Sequence, residues 1–206
     1  MKIIKALAAA FAFAATATAH AGLVTFDNEA IGPRYDPVIV GGVQFADSVA
    51  SFVFIGDFAQ NQFDRALSAA TDDSSFLYLI FDGQYDNLSL DFGNDLALAT
   101  SVGDQAVLQL ILNNVVVGSV SVDLNRDGLV NQSISSRGIL FDTAVFGYAS
   151  SSGELLAIAE LIDNVSYSLD NTVPEPASLW SVGIALAALA GIRRRAAAKS
   201  TKISQG

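Results

Sequence analysis

The sequence predicts an all-β protein, an antiparallel β-sandwich placed between two targeting segments, and three observations predict it. Period-two alternation recurs through the middle of the chain, in Val43-Gln44-Phe45-Ala46-Asp47, Asn87-Leu88-Ser89-Leu90-Asp91-Phe92 and Asn164-Val165-Ser166-Tyr167-Ser168-Leu169. Alternation at that period marks strands with one face buried. Nine to eleven short strands of this kind follow one another, separated by Gly, Asp and Asn, a density that suits an antiparallel sandwich. The two long uncharged runs, residues 6–19 and 177–192, lie at the ends and belong to targeting rather than to the sandwich.

Met1 to Lys5 is a short basic stretch, and Ala6 to Ala19 is an apolar run rich in Ala and Phe that closes on Ala19-His20-Ala21. This is the layout of a secretory signal peptide over residues 1–21, with small residues Ala19 and Ala21 bracketing the cleavage position. The mature chain is therefore expected to begin at Gly22. The run is shorter than the roughly 20 residues that a membrane span needs. Cleavage removes His20, the only histidine, and the chain has no Cys. A histidine-activated serine, a histidine or thiolate zinc centre and a disulfide framework are all excluded from the mature domain.

The chain carries 11 Lys and Arg against 21 Asp and Glu, unevenly placed. Between Gly22 and Thr172 there are 20 acidic side chains and only Arg34, Arg65, Arg126 and Arg137, a net of −16. Such a surface repels phosphate backbones and excludes nucleic acid as a partner. A domain of this length buries roughly 68 to 70% of its unfolded surface, enough for an independent core.

Within 22–172, the chain opens on Val24-Thr25-Phe26-Asp27 and continues through the strand after Gly41-Gly42. The continuous apolar runs Phe76 to Phe81 and Val107 to Leu112 suit strands near the core centre. Asn113-Asn114 between Leu112 and Val115 is a hairpin signal, because Asn tolerates the positive φ of a two-residue turn. Glu154 to Asp163 fits a short helix as well as a strand.

Asp123-Leu124-Asn125-Arg126-Asp127-Gly128 has oxygen side chains at positions 1, 3 and 5 and Gly at 6, the pattern of a calcium loop. Ile134 stands where a bidentate acid belongs, and a strand, not a helix, precedes the loop. The segment reads either as a polar turn joining two strands or as a weak calcium site at Asp123, Asn125, Asp127 and Asn131. For catalysis only carboxylates are left, and glycoside hydrolysis needs two at a set separation. The domain's glutamates are Glu29, Glu154 and Glu160, and Asp72-Asp73 is an adjacent pair whose side chains diverge on a strand. The expectation is that these are solvated surface groups and that the protein is no enzyme, with no catalytic residue assigned.

Val173-Pro174-Glu175-Pro176 breaks any preceding strand, and Ala177 to Ile192 follows as 16 uncharged residues closed by Arg193-Arg194-Arg195. At about 1.5 Å per residue this predicts a transmembrane helix of about 24 Å, with Trp180 at one interface and the arginines on the cytoplasmic side. Ala196 to Gly206 forms a basic cytoplasmic tail.

The order Val-Pro-Glu-Pro-Ala-Ser, short hydrophobic helix and arginine cluster resembles the PEP-CTERM sorting signal of Gram-negative bacteria that make extracellular polysaccharide. The resemblance covers about 30 residues, 173–195 and their flanks. It implies export through the inner membrane, transient anchoring there, recognition by the membrane peptidase exosortase, and delivery to the cell surface or matrix. Pro174, Glu175 and Pro176 match the recognition motif and Arg193, Arg194 and Arg195 the basic cluster.

A second, more diffuse resemblance joins Val24 to Asp27, Gly41 to Phe45 and Leu161 to Tyr167 to secreted jelly-roll domains similar to carbohydrate-binding modules. It implies adjacent terminal strands on which Asp27, Glu29 and Asp163 could clamp one calcium ion. Sugar recognition uses aromatic faces; Tyr35 and Tyr85, in polar loop-like contexts, are the candidates, and Tyr78 and Tyr167 sit in strand patterns. The resulting expectation is a non-enzymatic surface or matrix protein associated with extracellular polysaccharide. A glycan hydrolase using Asp/Glu pairs and a calcium-dependent adhesin are the alternatives.

Overall fold

Among the described residues, alternating apolar residues build eleven strands: β1 (Ala21–Val24), β2 (Gly32–Tyr35), β3 (Val38–Val40), β4 (Val43–Asp47), β5 (Phe52–Gly56), β6 (Ala66–Ala69), β7 (Leu77–Gly93), β8 (Gln105–Leu112), β9 (Val115–Asp123), β10 (Gln132–Ala149) and β11 (Leu161–Ser168). The computed structural model describes residues 21–57, 65–70, 72–94 and 96–169. The expected signal peptide, apart from Ala21, lies outside them, as do the sorting segment and the helix expected at 177–192. Among the described residues no helix is long and apolar enough to cross a membrane.

All pairings are antiparallel, along the path β2-β5-β6-β11-β7-β10-β8-β9, with β1 on β11, β4 on β7 and β3 on β4. The long strands β7 and β10 change partners midway. Residues 77–81 of β7 pair with β4, and residues 87–93 pair with β11. Among the described residues, β10 pairs at 132–137 with β7 alone, at 143–146 with both β7 and β8, and at 147–149 with β8. Register shifts between Arg137 and Thr143 mark the bend, where Gly138 takes φ 74°, a conformation costly for other residues. The sheet thereby folds onto itself as a sandwich. Phe26, just after β1, meets Phe45 of β4 edge-on at 5.4 Å, and Phe81 of β7 meets Phe141 at 5.2 Å and Tyr167 at 5.1 Å.

Leu88, Leu90 and Phe92 point into this core while Asn87, Ser89 and Asp91 point out, as the alternation predicts. The Asn113-Asn114 turn forms with φ of 51° and 64°. Glu154 to Glu160 is neither of the two expected forms, because its backbone bonds to neighbours instead of to itself: Leu156 N–H donates to Tyr148 O, Ala159 N–H to Asp72 Oδ1, and Ala69 N–H to Glu160 O. The strand begins only at Leu161.

Candidate functional site

Four strand segments, from β1, β11, β7 and β10, turn their outward side chains onto one face. Cross-strand pairing sets them in rows: Ser135 lies opposite Ser89, Ser89 opposite Ser166, and Ser166 opposite Leu23. In the next row Arg137 lies opposite Asn87 and Asn87 opposite Ser168; Ala21, opposite Ser168, is the residue expected to leave with the signal peptide. Between these rows runs an open groove of about 500 Å³, lined by Asn87, Ser89, Ser135, Arg137, Ser166 and Ser168 over a floor of Leu88 and Tyr167. Hydroxyls, an amide and a guanidinium can together donate to and accept from a polyhydroxylated ligand.

Among the described residues no carboxylate lines the groove, although the surrounding domain carries 20. Farther along the same face, Asp91 accepts from Ser133 Oγ on one oxygen and from Asn164 Nδ2 at 3.0 Å on the other, so it is fully engaged. Arg34 donates to Ala30 O, Arg65 to Asp27 O and Glu29 O, and Arg126 to Ala97 O and Thr100 O. Arg137 has no such partner among the described residues and stands exposed at the groove.

The aromatic candidates fare differently. Tyr35 is 78% exposed on the edge strand β2, its ring edge-on to Phe52 at 6.5 Å. Tyr85 is not in a loop: it lies within β7, buried against Phe81 and Tyr167, and its hydroxyl donates to Asp82 Oδ1 at 2.8 Å. Desolvation, then the hydrogen bond and charge of Asp82, push its hydroxyl up to about 12. It presents no free face for stacking.

In the β9–β10 turn, Asn125, Asp127 and Asn131 meet. Asn131 Nδ2 donates to Asp127 Oδ2 at 2.8 Å, and Asn125 Nδ2 donates to Asn131 Oδ1 at 2.7 Å. Asp123 is drawn off to Gln105 Nε2 at 2.8 Å. Asp163 is buried, one carboxylate oxygen lacks a hydrogen bond among the described residues, and its pKa rises to about 6 through desolvation and the charges of Asp27 and Asp91. The carbonyls of Asp27 and Glu29 are taken by Arg65. No group of three or more His, Asp or Glu side chains converges on a metal position among the described residues.

Glu160, expected on the surface, is fully buried, with Ser75 Oγ donating to Oε2 at 3.4 Å. Desolvation, with the charges of Asp47 and Asp73, raises its pKa to about 8. Asp72 and Asp73 occupy a loop, not a strand.

The groove residues were not singled out by the sequence. Alternation in Asn87 to Phe92 and in Asn164 to Leu169 gives which side chains share a face, but not which strands lie beside one another.

Residues 172–195 match the PEP-CTERM protein-sorting motif. Sandwich and motif together define a class, a secreted β-sandwich protein with a C-terminal sorting signal. In particular, this chain carries the signal of exported Gram-negative proteins. No curated protein matches the chain. Among solved structures, CBM27-1 of Caldicellulosiruptor saccharolyticus in complex with mannohexaose is similar at 12% identity and TM-score 0.43, over 72% of this chain and 97% of that one. Arabinose-bound MgGH51 α-L-arabinofuranosidase is similar at 13% identity and TM-score 0.43, over 73% of this chain and 27% of that one. TmCBM61 in complex with β-1,4-galactotriose is similar at 12% identity and TM-score 0.33, over 71% and 90%.

Proposed function

We propose that this is a non-catalytic protein, exported, processed by exosortase at its C-terminal signal, and retained at the cell surface or matrix, where the groove holds extracellular polysaccharide. The observation that carries the reading is the sorting motif at 172–195. The glycan part is supported by the groove's hydrogen-bonding walls, which include no carboxylate among the described residues. The non-catalytic part is supported by the burial of Glu160 and Asp163, which leaves neither within reach of a substrate.

Two measurements test it separately. The mass of the mature C-terminus, taken from surface and secreted fractions of the host, is expected to end near Pro174 to Pro176; an intact Gly206 in the membrane fraction overturns the processing step. Binding of the host's own polysaccharide by the exported chain is expected to weaken on Ser135→Trp, which fills the groove, and on Arg137→Ala. Unchanged binding by both variants removes the groove from the proposal without touching the sorting step.

A further inference from the structure

We propose that removal of the signal peptide completes the groove as a site for acidic polysaccharide: cleavage after Ala21 frees the α-amine of Gly22 at one side of the groove, and this cation, with Arg137 at the other side, binds sugar carboxylates. The inference rests on the reading of the groove as a glycan site and names the class of glycan.

Strand pairing places both cations. Ala21 and Gly22 line the groove from β1, and Arg137 lines it from β10. The nitrogen of Gly22 bonds to Ala21, and Ala21 stands in the row of Ser168, Asn87 and Arg137. In the precursor that nitrogen is a neutral amide. After cleavage it is an ammonium, mostly protonated at neutral pH and able only to donate. The path from β1 through β11 and β7 to β10 sets the two cations about 14 Å apart, at about 4.8 Å per strand spacing. Gly22 is held there by its neighbours: it pairs with Tyr167, and a Cβ at Gly22 would overlap the Tyr167 ring, so only glycine fits. That ring is itself fixed, its hydroxyl donating to Gly41 O at 2.9 Å.

The charge of the lining selects the ligand. Arg34, Arg65 and Arg126 are spent on backbone carbonyls, whereas Arg137 is exposed at the groove without a partner among the described residues. A free guanidinium presents a planar fork that matches a carboxylate. Asp86 and Asp91, which flank the lining residues of β7, are turned to other donors. Asp86 accepts from Asn87 Nδ2 at 2.7 Å, and Asp91 accepts from Ser133 Oγ and Asn164 Nδ2. The acidic charge elsewhere on the domain is screened beyond about 8 Å at physiological salt. Duplex nucleic acid, with one charge per ~1.7 Å, runs past the groove onto that acidic surface, whereas an acidic sugar seated between the two cations does not.

The lysines of the chain are Lys2, Lys5, Lys199 and Lys202, so between Gly22 and Thr172 acetic anhydride neutralises the α-amine and no other cation. The exported chain, recovered in neutral detergent, is titrated with trigalacturonate and with its methyl ester, which has the same sugars without the charge. Trigalacturonate is expected to bind more tightly than the ester by about tenfold for each cation engaged, the strength of a charge-assisted hydrogen bond. Acetylation of the α-amine and Arg137→Gln are each expected to remove about tenfold of that preference. A mature N-terminus other than Gly22, an acid bound no more tightly than its ester, or a preference that survives either change overturns the inference. The glycan reading is tested apart from it. Weaker binding of the host's own polysaccharide by Ser135→Trp keeps the groove as a glycan site whatever the charge of the sugar, and unchanged binding by Ser135→Trp and Arg137→Ala overturns both.

Discussion

Glu160 shows how much one residue's setting changes its chemistry. Its ordinary pKa of 4.5 rises to about 8 in the fold, so the folded protein holds the proton more tightly than the unfolded chain does. Its stabilising contribution is therefore complete below about pH 4.5 and lost as pH rises through about 8, at a cost on the order of 5 kcal/mol in the alkaline limit. Asp163 adds a smaller loss of the same sign between its ordinary 3.8 and about 6. Glu160→Gln, which keeps the shape without the charge, is expected to flatten the decline of melting temperature from pH 5 to pH 9; an unchanged profile would assign the decline to other groups. Gly93 makes a steric prediction, since a Cβ there would lie 2.5 Å from Leu129 O and 2.6 Å from Val130 N. Both contacts are backbone and cannot swing aside, so Gly93→Ala is expected to destabilise by about 2 kcal/mol or more in chemical denaturation. Neither setting is legible in the sequence. Glu160 stands alone in the apolar stretch Leu155 to Ile162 and Tyr85 lies among Asp82, Gln84 and Asp86, and for both the burial comes from strands distant in the chain.

At the level of elements, local chemistry is readable where the turn chooses the residue. Asn113 and Asn114 both take positive φ, as a two-residue hairpin demands, and their pairing with flanking apolar runs identifies β8 and β9. Gly occupies the second position with less strain than Asn, so Asn114→Gly is expected to raise stability by about 0.5 kcal/mol, seen as a higher melting temperature. The β9–β10 turn illustrates the limit. Its calcium-like spacing is real, but the Asn125 and Asn131 amides donate to the oxygens that a cation would take. Removing calcium with a chelator is expected to leave the melting temperature of the chain unchanged; a drop would restore calcium at this turn or at Asp163. The apolar spacing of Glu154 to Asp163 suits either period; hydrogen bonds to β6, β10 and the 72–73 loop decide the course of Glu154 to Glu160, and Leu161 to Asp163 joins β11.

For the whole molecule, charge and address are properties of composition and order. The net of −16 between Gly22 and Thr172 predicts self-repulsion that salt relieves, so melting temperature is expected to rise between about 10 and 150 mM NaCl. A fall over that range would mean that attractive pairs outweigh the repulsion. The sequence by itself determined the all-β class, the hairpin at Asn113-Asn114 and the sorting motif, because each depends on residues adjacent or at fixed spacing in the chain. Only the tertiary structure decided that Ser89, Ser135, Ser166 and Arg137 share one groove and that Tyr85 and Glu160 are buried. Strand order and register arise from contacts between segments up to more than a hundred residues apart, and two-residue periodicity carries the facing of each strand but not the identity of its neighbour.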